Sequence, residues 1–428
     1  MLGASMGNLI VLFIAIFIFY IDARAEVKDA WSQLGEGDNL VVRAIVNDNI
    51  CPQINIDGKQ FKMNMRAKPS KLFNNYVCEV VVAGNPKKIN VADHNIPVRK
   101  ATLDRVLIIG DTGCGNNNSM GQICENPDSW PFPTIAGSIA KEDFDLIIHM
   151  GDYHYRGCIN DKCYGEGDWN NEFFNIVRPI IHKAPWIMVR GNHENCDRAG
   201  EGWMRMLSLF PYHGETSCFD FEPPYIMRYN DLNFAMLDNS AVYDIMYNDK
   251  QRLANKPIIT LMNKHLRELH KGLATHEYNW LLMHRPFWSY FAFKPYKSPE
   301  DLINFGEVMQ NAKSTELLSK IDLILTAHVH VFQALGFNAQ DKRPPQLMVG
   351  TGGAQLVPKK IFDSLPNNIH ELPLEGSKPD TATLIREFGY ALMERVKGKH
   401  WRIIVKNRYG KQITQCELTS TGALQCAS

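Results

Sequence analysis

The chain has 428 residues, and its 46 Lys and Arg are balanced by 46 Asp and Glu for a formal net charge of zero. Hydrophobic residues make up 45% and charged residues 21%, a globular composition that excludes extensive disorder. Without net positive charge or a nucleic-acid motif, DNA and RNA are excluded as expected partners.

In chain order, the first feature is an unbroken apolar run from Leu9 to Ile21, followed by Ala23-Arg24-Ala25. An apolar core of this length before an A-x-A site predicts a secretory signal peptide over residues 1–25. The run is short for a membrane span, which needs roughly 17–25 residues. No Lys or Arg precedes it, so an uncleaved anchor is the alternative. Export, periplasmic or secreted, is the expectation, with no stable membrane insertion after cleavage.

Residues 26–100 predict a small β-rich domain. Extended runs at Val41–Val46, Phe61–Met65 and Val77–Val82 are separated by turn residues such as Asp57-Gly58 and Gly84-Asn85-Pro86. No cluster there suggests chemistry. From residue 101 to 428 the pattern changes. Short apolar runs recur, each ending in a polar, Gly-rich or His-bearing tail: VLIIGD, DLIIHMGD, PWIMVRGNHE, LNFAMLDN, NWLLMHRP, DLILTAHVH and QLMVGTGG. Helical segments are predicted between them at 171–183, 251–272 and 301–319. Strands alternating with helices predict an α/β layered domain, whose ligands bind beyond the carboxyl ends of the strands. Tyr390–Met393 and Trp401–Val405 read as closing antiparallel strands.

Ten cysteines are present and none precedes residue 51. Export favours disulfides, and the spacing suggests local pairs 51–78, 114–124, 158–163, 196–218 and 416–426. Buried free thiols are the alternative reading.

Taken singly, the polar tails are weak signals, because an Asp after a strand often only caps the next helix. Taken together they are informative. Asp111, Asp152, Tyr155, Asn192, His193, His284, His328 and His330 all follow predicted strands of one sheet and are expected at its same edge. Carboxylate, phenol, amide and imidazole form an oxygen and nitrogen donor set suited to hard and borderline metals. Seven or eight donors exceed the needs of one metal and suit two.

The ordered series Gly110-Asp111-Thr112-Gly113, Gly151-Asp152-x-x-Tyr155, Gly191-Asn192-His193-Glu194, His284, and Ala327-His328-Val329-His330 resembles the calcineurin-like metallophosphoesterases. Gly113, where many relatives carry a histidine ligand, and Tyr155 resemble the purple acid phosphatase branch. The resemblance covers roughly residues 105–353. It implies a four-layer αββα sandwich, here preceded by the β-rich domain. It implies a first metal held by Asp111, Asp152, Tyr155 and His330, and a second held by Asp152, Asn192, His284 and His328. The metals it implies are Fe(III) and a divalent ion (Zn, Fe or Mn). Fe(III) and M(II), less two carboxylates, one phenolate and a bridging hydroxide, leave about one positive charge to meet a phosphate.

The implied activity is phosphomonoester hydrolysis of the acid phosphatase type on a small phosphate ester. The bridging hydroxide would attack phosphorus in line, and His193 would hold the phosphate and protonate the leaving group. Phosphodiesterase or nucleotidase action with the same metals is an alternative, and a silent secreted binding protein is another. One departure stands out: plant-type members carry a histidine pair about nine residues after the metal histidine, where this chain has Phe293 and Lys294. Arg156, Arg190 and Arg285 flank ligand positions but are read as partners of local carboxylates. Phe287, Trp288, Tyr290 and Phe291 are read as core. The bridges 114–124, 158–163 and 196–218 would brace loops that begin near Asp111, Tyr155 and His193.

Overall fold

Each apolar run of the layered region becomes a short strand covered on both faces. The computed structural model describes residues 26–427, apart from 116–120, 157–162, 215–217, 243–248, 276, 292–294, 299–314, 339 and 375–377. The expected signal peptide, Cys158, Phe293 and Lys294 therefore lie outside the described residues, as does most of the helix expected at 301–319.

Alternation along the strands builds the layers, since successive side chains point to opposite faces. In Arg105–Ile109, Val106 and Ile108 enter a core shared with Phe234, Met236, Trp280 and Leu282 of a second sheet. Leu107 and Ile109 turn outward against Phe132, Ile135, Phe173 and Phe174. In the second sheet Ala235, Leu281 and Met283 point outward against Met262, Leu266 and Leu269. Those last three recur at helical spacing on Asp249–Gly272. Helix, sheet, sheet, helix is thus a four-layer sandwich. Burying both faces explains why these strands read as continuous apolar runs rather than alternating ones.

The first sheet has eleven strands. From one edge they are Leu424–Cys426, Gln412–Leu418, His400–Asn407 and Gly389–Lys397, then Arg105–Ile109, Leu146–His149 and Trp186–Met188. Beyond these lie Val27–Leu34, Leu40–Val46, Tyr76–Val82 and Asn64–Ala67. The strands from residues 26–100 therefore extend the large sheet, through a parallel pairing that sets Gln33 opposite Trp186. A separate four-stranded sheet holds Lys59–Lys62, Gln53–Ile56, Ile89–Val91 and His94–Ile96. The single run expected at Phe61–Met65 divides between the two sheets at the buried Met63.

The second sheet runs Tyr225–Tyr229, Leu232–Met236, Tyr278–Leu282, Leu323–Thr326, Gln346–Val349, Phe332–Gly336 and Thr381–Ile385. The expected helix at 171–183 begins earlier and ends sooner: an α-helical turn at Glu166–Trp169 runs into a π-turn at Asn170–Phe174 and closes at Asn175–Val177. Among the described residues no helix is long and apolar enough to cross a membrane.

Four expected disulfides are present: Cys51–Cys78, Cys114–Cys124, Cys196–Cys218 and Cys416–Cys426. Cys416 and Cys426 are direct cross-strand partners. Phe287, Trp288 and Tyr290 are buried core residues, as expected.

Candidate metal centre

Arg105–Ile109, Leu146–His149 and Trp186–Met188 are mutually parallel, as are Tyr278–Leu282 and Leu323–Thr326 in the other sheet. Their carboxyl ends therefore deliver Asp111, Asp152, Asn192, His284 and His328 to one edge of the sandwich, from two facing sheets rather than the single sheet expected. The two sheets are joined there by a side chain, since His328 N–H donates to Asp111 Oδ2 at 2.9 Å. Asp111, Asp152 and His328 all adopt left-handed backbone, with φ of 54°, 57° and 73°. Such conformations cost roughly 1–3 kcal/mol each in non-glycine residues and cluster at functional sites. The surrounding loops hold them in place.

Two clusters of donor atoms share Asp152. Asp111, Asp152 and His330 offer ligand atoms within 4.8 Å of one another, and so do Asp152, His284 and His328. The Tyr155 hydroxyl joins the first cluster, 3.0 Å from Asp111 Oδ1, 2.6 Å from Asp152 Oδ2 and 2.8 Å from His330 Nε2. Asn192 Oδ1 joins the second, 3.1 Å from His284 Nε2, which itself lies 3.2 Å from Asp152 Oδ2.

Outer hydrogen bonds orient the rings. His284 Nδ1 meets Met150 O at 2.7 Å and His330 Nδ1 meets Gln355 O at 2.6 Å. Since a carbonyl only accepts, each Nδ1 carries a proton. Burial opposes a charged His284 ring, yet Asp152 and Asp111 push it up to about 9, so its Nε2 would turn a lone pair inward only against a bound cation. An oxygen and nitrogen donor set arranged around one shared carboxylate fits a pair of hard or borderline cations.

The electrostatics of the chain's own groups point the same way. Burial, then repulsion from Asp152, pushes Asp111 up to about 6, against the pull of His330 and His284. Burial is also the largest influence on Asp152, but His284, His193 and Tyr155 together hold it well below the usual carboxylate range. Burial and the two aspartates push the Tyr155 phenol well above its ordinary value. Each of these carboxylates and the phenol would be stabilised as an anion by a bound cation. His193 stands beside the centre rather than in it. Its Nε2 is 3.9 Å from Asp152 Oδ2, its ring lies against Tyr155 with centroids 3.7 Å apart, and its backbone N–H donates to Asp152 Oδ1 at 2.9 Å.

Two buried glutamates organise the loops. Glu194 accepts N–H bonds from Asp152 and Gly191 on one oxygen and from Tyr153 and His154 on the other, at 2.9–3.2 Å. Burial and Asp152 push its carboxyl up to about 8, while the N–H donors oppose that rise. Glu172 accepts from the N–H groups of Cys114, Tyr155 and Arg156 at 2.8–3.1 Å. The two differ in how far the sequence announces them. The GNHE motif marks the first; nothing in the spacing marks the second.

Gly113 also has a physical explanation. A Cβ there would lie 2.6 Å from Tyr155 Cδ2 and 2.7 Å from Glu172 Oε2, so the tyrosine occupies the room a side chain at 113 would need. Of the flanking arginines, Arg156 pairs with Glu172 at 3.3 Å. Arg190 bonds Glu194 O, Phe219 O and Asp238. Arg285 places Nη1 2.8 Å from His328 Nε2 at the centre itself.

Comparison with known proteins agrees with this geometry. The calcineurin-like phosphoesterase family matches residues 104–332. Purple acid phosphatase 22 from Arabidopsis thaliana is 22% identical over 284 residues, covering 64% of this chain and 56% of that protein. The chain thus spans just over half the length of that relative.

The fold is similar to that of the purple acid phosphatase PPD1 from yellow lupin (Lupinus luteus) seeds, with a TM-score of 0.57 at 14% identity. That similarity covers 90% of this chain and 73% of the lupin chain. It is also similar to PhoD, with a TM-score of 0.56 at 12% identity, covering 93% of this chain and 91% of PhoD. With the family match spanning more than half the sequence and converging on the two donor clusters, the chain belongs to the calcineurin-like phosphoesterases.

Proposed function

We propose that this centre hydrolyses phosphate monoesters as an acid phosphatase does. One cation would be held by Asp111, Asp152, Tyr155 and His330, the other by Asp152, Asn192, His284 and His328. The observation that carries the reading is the Tyr155 hydroxyl, in hydrogen-bond contact with Asp111, Asp152 and His330 where Gly113 leaves no competing side chain. A phenolate favours a trivalent ion, so we assign Fe(III) to the Tyr155 cluster and a divalent Zn, Fe or Mn ion to the other. When bound, such a pair polarises a phosphoryl oxygen and acidifies water enough for hydrolysis at neutral or acidic pH.

The protein's own residues do the rest. Asp152 holds both clusters in register, and the glutamates fix the backbone of the ligand loops. His193, beside the centre and backed by Tyr155, is placed to hold the phosphate and assist departure of the leaving group. Export, to a periplasm or by secretion, is supported by disulfides that brace the loops following Asp111 and His193.

Turnover of p-nitrophenyl phosphate should exceed that of bis-p-nitrophenyl phosphate; a strong preference for the diester would overturn the monoesterase reading. The oxidised protein should show a visible tyrosinate charge-transfer band that disappears in Tyr155→Phe. A colourless, fully active di-zinc protein would overturn the iron assignment and leave the hydrolase reading standing.

A further inference from the structure

Arg198 has no part in the reading above, yet it makes the shortest polar contact to the His193 ring. Its Nη2 lies 2.6 Å from His193 Nδ1. The same nitrogen lies 3.1 Å from the carbonyl oxygen of His154. These neighbours make opposite demands. A guanidinium only donates and a carbonyl only accepts, so Nδ1 serves one of them at a time. If it donated to His154 O, the neutral ring would turn a bare lone pair at Nε2 toward the centre. If it accepts from Arg198, the ring proton must sit on Nε2, the atom facing Asp152 Oδ2 at 3.9 Å.

Two considerations decide between them. The contact to Arg198 is the shorter, and a charged donor makes the stronger hydrogen bond. The arginine is also well set for this work. It is half-buried, five residues after His193, and its backbone N–H is tied to Asn195 O at 3.1 Å. The turn containing both residues begins with the 3-10 segment Asn192–Glu194 and is closed by the Cys196–Cys218 bridge.

We propose that Arg198 is a positioning residue that fixes His193 in the Nε2–H tautomer. His193 then meets the substrate as a neutral N–H donor to a phosphate or leaving-group oxygen. Its role rests on hydrogen bonding there rather than on release of a proton, because Nδ1 is engaged as an acceptor. This refines the role of His193 and rests on the phosphoesterase reading; the tautomer itself is measurable without turnover.

The test uses full-length, zinc-loaded protein labelled with 15N-histidine, with the His193 signals assigned by their loss in His193→Gln. The wild type should show a protonated, pyrrole-type Nε2 and an unprotonated, pyridine-type Nδ1. Arg198→Ala should shift the proton toward Nδ1, where His154 O accepts it, while Arg198→Lys, which keeps a donor, should retain the wild-type pattern. In kinetics, Arg198→Ala should lower kcat by about 10–100-fold, the usual cost of losing such an outer partner. KM should change little. The double variant with His193→Ala should be no slower than His193→Ala alone, since the arginine acts through the histidine.

A wild-type spectrum with the proton on Nδ1 overturns the proposal whatever the variants do. So does additivity in the double variant, which would make Arg198 a direct substrate contact. Failure of the wild type to hydrolyse any phosphate ester would instead overturn the phosphatase reading, with the tautomer still legible in the spectrum.

Discussion

Asp152→Asn should remove both cations at once and lower kcat on a phosphate monoester by about 10³-fold or more. The carboxylate belongs to both donor clusters and contacts Tyr155, His284 and the His193 backbone. An amide has nearly the same shape but carries no charge, so the substitution isolates electrostatics from packing. Asparagine also tolerates the left-handed backbone that position 152 requires, so the fold should survive. A cation pair supplies several kcal/mol of charge stabilisation. At about 1.36 kcal/mol per decade, its loss accounts for a fall of that size. Metal analysis of the purified variant against wild type checks the first half of the expectation, and steady-state kinetics the second. A variant that keeps two ions per chain would show that Asp152 is not shared between them.

Glu194→Gln should have the second largest effect, on stability and metal affinity together. Each carboxylate oxygen takes two backbone N–H groups from the loops bearing Asp152 and Asn192. A glutamine retains one acceptor oxygen and turns its NH₂ toward the other pair of donors. Two buried N–H groups then lose their partner, at about 1–3 kcal/mol each. Because those groups position Asp152, metal affinity should fall by about 10–100-fold, as expected when an outer partner of a ligand is lost. Thermal unfolding and metal titration read the two effects separately. A wild-type melting temperature with wild-type affinity would mean the loops hold their shape without Glu194.

Much of the site was legible in the sequence because strand register does the positioning. Once VLIIGD, DLIIHMGD and PWIMVRGNHE are parallel neighbours, Asp111, Asp152 and Asn192 have no edge but one to occupy. The same holds for His284 and His328 in the second sheet. The local disulfides were legible for a similar reason. Cys416 and Cys426 flank one hairpin and meet directly across it.

What escaped the sequence depends on contacts without a fixed spacing. Residues 26–100 are β-rich as read, and within them Val27–Leu34 also pairs in parallel with the large sheet at Gln33 and Trp186, a register between residues more than 150 apart and beyond the reach of any local pattern. Buried Arg43 secures that join by donating to Met206 O and Glu79, contacts no local pattern announces. Glu172 reaches the Tyr155 loop from a π-turn, which shifts its direction from that of an ordinary helix. Arg285 is turned toward His328 by a side-chain placement that no spacing announces. The left-handed conformations of Asp111, Asp152 and His328 are likewise imposed by tertiary structure, against the preference of those residue types.

The central claim is that two cations, held around a shared Asp152, hydrolyse phosphate esters. Its most direct test is to strip the protein of metal and titrate the cations back while following p-nitrophenyl phosphate hydrolysis. The account predicts negligible activity in the stripped protein and full activity at two equivalents per chain. Full activity at one equivalent, or in the stripped protein, would contradict it.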